Sequence, residues 1–373
     1  MKRHTILPRP DYTERLSELD FDFHSDYWVE KSYYSFTEED IAIIEKDTNE
    51  IYEMIVNAAQ HVIDNNLFHL FDIPEQFIEL IKESWEADDP SIYGRFDFVF
   101  KDGRCHLLEF NADTPTSLYE ASVVQWQWKE DLFPKADQFN SIHEQLLDTF
   151  RELKANYQIP SMHFACSYES HEDFTTTSYL QDLAAQSGID TSIMNIGDIG
   201  WNGVSFTDPS ERYIYDIFKL YPWEWLIHEE FGEHILHRTT NWFEPIWKML
   251  MSNKAILPIL HQLYPYDKRI LPAFFEKPSL MRDYAKKPTL SREGANVELV
   301  RANDVIASTG GEYADGRYIW QELCLDKHDG YYPIIGSWVI GGTSAGIGIR
   351  ENAKIITDNM SHFVPHIIEE KFI

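Results

Sequence analysis

The chain is short of cysteine, of positive charge and of long apolar runs, and each shortage narrows the reading. Its three cysteines, Cys105, Cys166 and Cys324, are scattered, odd in number and without metal-ligand spacing. That argues against a disulfide scaffold or a zinc site and for buried thiols in a reducing compartment. Lys plus Arg number 32 against 62 Asp plus Glu, for a net charge of −30. So acidic a surface repels nucleic-acid backbones and anionic membranes, and neither is expected as a partner. It favours cationic ligands such as amines, although a solvated acidic surface is the plainer account. No stretch reaches the ~18 apolar residues of a membrane helix. The opening MKRHTILPRP lacks the apolar core of a signal peptide, so the cytoplasm is the expected location.

Familiar catalytic signatures are missing too. There is no GxxxxGK[ST] phosphate loop and no GxSxG nucleophile. His228, His234 and His237 crowd HEEFGEHILHR without forming HExxH, and read as solvated or core histidines. The glycines from Gly341 to Gly348 do not spell GxGxxG within a strand–helix–strand unit, so a dinucleotide site is excluded. They read as a mobile loop that delivers Arg350 to an anionic centre, or as a tight structural turn.

What is present is a globular chain, 43% apolar and 14% aromatic over 373 residues. Its length suggests roughly two to three domains. Apolar residues at helical spacing over 38–65 follow an N-cap-like Thr37 with Asp40 three further on, and 75–87 reads as a second helix. One or two helices are expected over 117–155. A strand pattern at 161–170, a helix at 178–188 closed by Gly188 and a strand at 189–196 suggest a small α/β unit with a parallel sheet. Residues 244–264 read as helical, and YPWEW at 221–225 as core or pocket wall.

The stretch that carries chemistry is YGRFDFVFKDGRCHLLEFNADTP, residues 93–115. Two alternating runs around Asp102-Gly103 predict a β-hairpin with Phe96, Phe98 and Phe100 on one face and Arg95, Asp97 and Val99 on the other. A two-residue turn would leave Glu109 pointing away from Asp97. An odd loop ending in a left-handed Gly103 would bring Asp97, Glu109 and Asn111 to one side, and that loop is the one expected. Two carboxylates and an amide are hard oxygen donors of the kind Mg²⁺ takes while keeping sites for phosphate oxygens. The bland alternative is an exposed polar sheet face. Lys286-Lys287-Pro288 followed by Ser291-Arg292-Glu293-Gly294 reads as a strand end and flexible loop able to meet phosphates, or as a plain surface loop.

Taken together, RFDF, LLEFNADTPT, WFEPIWKMLMSNKAILPIL, KKPTLSREGANVEL, IWQEL and GGTSAGIGIRE resemble the synthetase domain of glutathionylspermidine synthase and its short acid–amine ligase relatives. The resemblance spans nearly the whole chain. It implies an α/β (α+β) ATP-grasp fold with three parts. Residues 1–155 and 325–373 would form the core bearing the hairpin, 156–245 a small pre-ATP-grasp-like substrate domain, and 246–324 the ATP-binding part with a mobile lid over about 280–325. It further implies ATP and two Mg²⁺ ions as cofactors, with a peptide-like carboxylate and an amine as small-molecule substrates. Arg95 would stabilise the transition state and share in ATP binding, while Asp97, Glu109 and Asn111 would hold metal. Lys254 and Lys287 would bind phosphates, Gly294 would sit in the covering loop, and Gln321 with Glu322 would lie near the adenine. Thr114 and Thr116, serines in the full-length synthase, would contact the acid, Glu172 and Asp173 the amine, and Arg350 would close over the acyl phosphate. The phosphate loop reads SREG where the synthase has GRCG, and no amidase activity is expected because the ligase pattern already begins at Thr37. An ATP-binding regulatory protein or ATPase that has lost ligation is the alternative in another class.

Overall fold

Thr37 begins the longest helix, Glu38–Asp64, as its spacing predicts. Its hydroxyl accepts from the Asp40 N–H at 3.1 Å, and the Asp40 carboxylate accepts from the Thr37 N–H at 3.2 Å. This reciprocal cap satisfies two donors the first turn leaves free. One stripe of the helix, Ile44, Ile51, Ile55, Ala58, Ala59 and Val62, is fully buried. It lies against the apolar face of a five-stranded antiparallel sheet, whose order is His362–Val364, Thr343–Asn352, Tyr332–Ile340, Tyr93–Lys101 and Arg104–Asn111. Phe96 stacks on Phe110 at 4.1 Å and Phe98 on Phe96 at 5.2 Å within that core. The computed structural model describes residues 1–21, 27–357 and 361–369.

The second layer is a four-stranded, wholly parallel sheet in the order Asn241–Phe243, Asp216–Leu220, Ser161–Cys166, Asp190–Asn195. The strand–helix–strand reading of 161–196 is therefore met. The intervening helix, however, spans His171–Gln186 and starts seven residues before the predicted 178. Ser170 caps it, and Glu172 and Asp173 in the first turn complement the helix dipole. A third, five-stranded antiparallel sheet runs Ala273–Phe274, Tyr318–Glu322, Tyr284–Pro288, Glu298–Arg301, Asp304–Ser308.

Three expectations need correction. The hairpin turn is the two-residue one: Lys101 pairs with Arg104, and Asp102 and Gly103 both take left-handed φ of 53° and 67°. What restores the polar face is a bulge farther along. Phe98 faces Leu107 but Asp97 faces Glu109, so Leu108 is the extra residue and Arg95 comes opposite Asn111. The glycine run is no mobile loop. Gly341 and Gly342, at φ 53° and 85°, make the tight turn of a long hairpin, and Arg350 lies well inside its second strand opposite Ile334. Finally, the predicted 244–264 helix is broken into Lys248–Ser252 and Ile256–Leu263. Asn253 is extended at the break; its side chain donates to the Phe71 carbonyl and accepts from the Ala255 N–H, each at 2.9 Å.

Candidate active site

The bulge does more than set register. It frees the Leu108 carbonyl, which accepts from Lys287 Nζ at 3.2 Å, and Gln321 Nε2 donates to the Leu107 carbonyl at 2.9 Å. Lys287 Nζ also donates to Gln321 Oε1 at 2.8 Å. The third sheet is thereby pinned to the bulged strand by its own lysine and glutamine. Between them opens a cleft of about 790 Å³, open solvent at its mouth included. Leu108, Ala285, Val297, Leu299, Ile334 and Ile355 give it apolar walls. Asp97, Glu109, Lys254, Lys287, Gln321, Glu322, Ser291, Glu293 and Gly294 supply its polar edge.

Two carboxylates at that edge, Asp97 and Glu109, are met by cations. Arg95 chelates Asp97 through Nε and Nη2 at 2.8 and 3.2 Å, and its Nη1 donates to the Thr116 carbonyl at 2.6 Å. Arg350 reaches the same Asp97 from the neighbouring hairpin at 3.2 Å. Gly336, opposite Asp97 in register, makes room for Arg95: a Cβ there would lie 2.9 Å from Arg95 Cδ. Lys254, turned in by the helix break, sits 3.2 Å from Glu109 and donates to the Ser291 carbonyl at 2.8 Å. Burial alone would raise the Glu109 carboxyl, but Lys254 and Lys287 outweigh it and hold it at about 2. Burial pushes the Lys287 ammonium down to about 8, with Glu109 resisting and Lys254 adding to the fall. Gly294 tolerates no side chain: its φ is +68°, and a Cβ would fall 2.4 Å from the Thr357 carbonyl oxygen.

A second acidic group lies beyond Arg350. Glu120 is 1% exposed, and its Oε1 has no hydrogen-bond partner among the described residues. Burial, then the Glu172 charge, pushes it up to about 8, while Arg350 pulls the other way. Asp173 rises to about 6, first by burial and then by Glu172. Glu120 opens a π-helical turn over Glu120–Val124, a backbone irregularity that collects at functional sites. The sequence reading did not single out Glu120; the available signal was a lone carboxylate inside the apolar SLYEASVV, while the π-turn leaves no mark in composition.

Seven of the residues named from the resemblance, Asp97, Glu109, Lys254, Lys287, Gly294, Gln321 and Glu322, line one cleft. Arg95 and Arg350 grip its Asp97, and Asn111 Nδ2 donates to Glu109 Oε1 at 3.4 Å. Thr114 and Thr116 lie outside the cleft, where the hairpin exits. Thr114 Oγ1 accepts from Arg292 Nη1 at 2.7 Å, and Arg292 is another residue the sequence reading left unassigned. Glu172 and Asp173 lie outside the cleft too; the Glu172 charge acts on both Glu120 and Asp173. Of the crowded histidines, His234 and His237 stack on Trp201 at 4.3 and 5.1 Å. Among the described residues no set of three acidic, histidine or cysteine side chains is grouped to hold a metal by itself. Asp97 and Glu109 still fit Mg²⁺, which takes one or two carboxylates and completes its shell with water and phosphate.

The whole-chain match is to the glutathionylspermidine synthase pre-ATP-grasp family, over residues 3–369. The chain belongs to that family. A Haemophilus influenzae relative carrying the provisional name acid–amine ligase is 40% identical over 98% of this chain and 99% of its own length. Trypanothione synthetase of Crithidia fasciculata is 30% identical over 84% of the chain. The bifunctional glutathionylspermidine synthetase/amidase of Escherichia coli is 27% identical over 91%. The matches span only 53% and 60% of those two longer proteins. All three bear ligase names, and this chain is a ligase-type enzyme of the family. A glutathione synthetase-like effector from Globodera pallida superposes with a TM-score of 0.57 at 10% identity, over 90% of this chain and 89% of its own. That likeness concerns the fold alone, which is of the glutathione synthetase-like, ATP-grasp type. No helix among the described residues is long and apolar enough to cross a membrane.

Proposed function

We propose that the protein is an ATP- and Mg²⁺-dependent acid–amine ligase that activates a peptide-like carboxylate as its acyl phosphate and transfers it to an amine. The observation that carries this reading is the setting of Asp97 and Glu109, side by side at the polar edge of an apolar cleft that also holds Lys254 and Lys287. The apolar walls suit a purine, with Gln321 and Glu322 at its polar rim. Lys254 and Lys287, which line the same cleft, would take the phosphates, and the backbone around Gly294 would cover them. Mg²⁺ at Asp97, Glu109 and Asn111 would neutralise charge on the phosphate oxygens during transfer.

Arg95 and Arg350 then face the negative charge that builds as a carboxylate oxygen bonds to the γ-phosphorus and the bond to the leaving ADP oxygen breaks. Thr114 and Thr116, at the hairpin exit beside Arg95, orient the acid. The amine enters from the far side of Arg350, where Glu172 and Asp173 favour its positive charge. Glu120 takes a proton from the ammonium, the freed nitrogen attacks the acyl carbon, and phosphate departs carrying off the second nitrogen proton. A carboxyl poised near 8 can exchange a proton with an ammonium group; one held at about 2, as at Glu109, cannot. A cytoplasmic location accords with this chemistry.

The test is phosphate release from Mg²⁺-ATP, screened against pooled peptides crossed with pooled polyamines and amino acids, with mass spectrometry of the products. Stimulated release together with a new mass equal to acid plus amine minus water is the expected result. ATP binding with no such mass in any pool would overturn the reading.

A further inference from the structure

Ser291, Glu293 and Gly294 of the 289–296 loop line the cleft, whereas Arg292 does not. Its Nη1 donates to Thr114 Oγ1 and its Nη2 to Glu224 Oε1, each at 2.7 Å, and its guanidinium lies 5.4 Å from the centre of the Trp225 ring. One side chain thus ties the loop between two strands of the third sheet to the exit of the hairpin and to the parallel-sheet layer. Glu224 and Trp225 stand on the short helix Trp223–Leu226, which follows directly from the strand Asp216–Leu220. That helix is itself anchored. Asp113, two residues past Asn111, accepts from the Trp223 N–H at 2.9 Å and from the buried Lys219 at 2.7 Å. The loop turns through left-handed φ, between 55° and 68°, at Glu293, Gly294 and Asn296, and is otherwise held by Lys254 on the Ser291 carbonyl and by Thr309 on the Gly294 carbonyl.

We infer that Glu224 and Trp225 form a latch that positions Arg292 and, through it, closes the 289–296 loop over the cleft, so that ATP cleavage proceeds only with ligation. The inference rests on the ligase reading and assigns a task to the YPWEW motif, which that reading leaves unused. A charged hydrogen bond and a ring face are what a planar guanidinium binds best. Closure matters because water admitted to the cleft would hydrolyse the activated acid. Arg292 Nε is buried with no acceptor among the described residues. A substrate oxygen reaching it would satisfy that donor and tighten the latch when the acid is bound. Glu224 touches no reacting atom in this scheme and is a positioning residue.

The experiment uses the full chain with Glu224→Ala, Glu224→Gln and Trp225→Leu, and reads two quantities. One is phosphate released per amide formed; the other is backbone hydrogen exchange over 289–296 with Mg²⁺-ATP bound. Loss of a charged hydrogen bond should raise both about tenfold in Glu224→Ala, with an unchanged melting temperature. Trp225→Leu should raise them about two- to fivefold, and Glu224→Gln, which keeps a hydrogen bond without the charge, should fall between. If Glu224→Ala misfolds, the other two variants decide. Wild-type values of both quantities in folded variants would overturn the latch. If the wild-type protein makes no amide, the ligase reading falls and the exchange measurement alone judges the latch.

Discussion

Arg350 lies between two groups of carboxylates, and one member of each, Glu109 and Glu120, is driven in opposite directions. On one side Asp97 and Glu109 are ringed by Arg95, Arg350, Lys254 and Lys287, and Glu109 stays ionised down to about 2. On the other, burial and the Glu172 charge outweigh Arg350 at Glu120 and Arg292 at Asp173, and the two rise to about 8 and 6. The residue types are the same; the surroundings differ. Permanent negative charge suits metal and phosphate, and a proton near neutrality suits an amine. On the proposed reading, one acidic composition would supply both halves of an amide-forming reaction.

The largest expected effect comes from erasing the first group. Asp97→Ala or Glu109→Ala should lower Mg²⁺-dependent ATP turnover by on the order of 10³ or more while the circular dichroism spectrum stays intact. Retained turnover in either variant would remove those residues from the metal site. Next comes the second group. Glu120→Gln should slow amide formation by on the order of 10²–10⁴ without weakening ATP binding. The same variant should also be more stable than wild type at pH 7. A carboxyl raised in the folded state costs nothing below its ordinary value near 4.5 and destabilises increasingly as pH climbs from there towards 8. The gain, on the order of 1–3 kcal/mol at pH 7, should vanish near pH 4.5. Melting curves at the two pH values read it.

A smaller effect sharpens the first group. Because the Lys287 ammonium begins to lose its proton near 8, ATP affinity should weaken as pH rises through that value. Lys287→Arg, which keeps its charge, should flatten the dependence in a titration by calorimetry. The smallest lies far from either group: Thr37→Ala should cost about 1 kcal/mol of stability through its lost cap, with no change in either pH dependence.

The two groups were not equally legible in the sequence. Period-two alternation put Asp97, Glu109 and Asn111 on one face, yet the device that brings them there was misread. Asp102-Gly103 forms the two-residue turn its dipeptide favours, and the compensating bulge at Leu108 has no glycine to announce it. Lys254 was legible only through family likeness, because its helix breaks at an asparagine rather than at a proline or glycine. Around Glu172 and Asp173, the polar, Thr-rich HEDFTTTS hid the first two turns of the helix, where capping and dipole outweigh weak propensity. Glu120 stayed hidden because its environment is built by Tyr27, Glu172 and Arg350, residues distant in sequence.

The most direct test of acyl-phosphate formation follows an oxygen atom. With the acid substrate labelled by ¹⁸O in its carboxylate, the account predicts that each turnover leaves one ¹⁸O in the released phosphate, since that oxygen bridges carbon and phosphorus before the amine attacks. Unlabelled phosphate accompanying labelled amide or unreacted acid would mean that the cleft splits ATP without activating the carboxylate, and would contradict it.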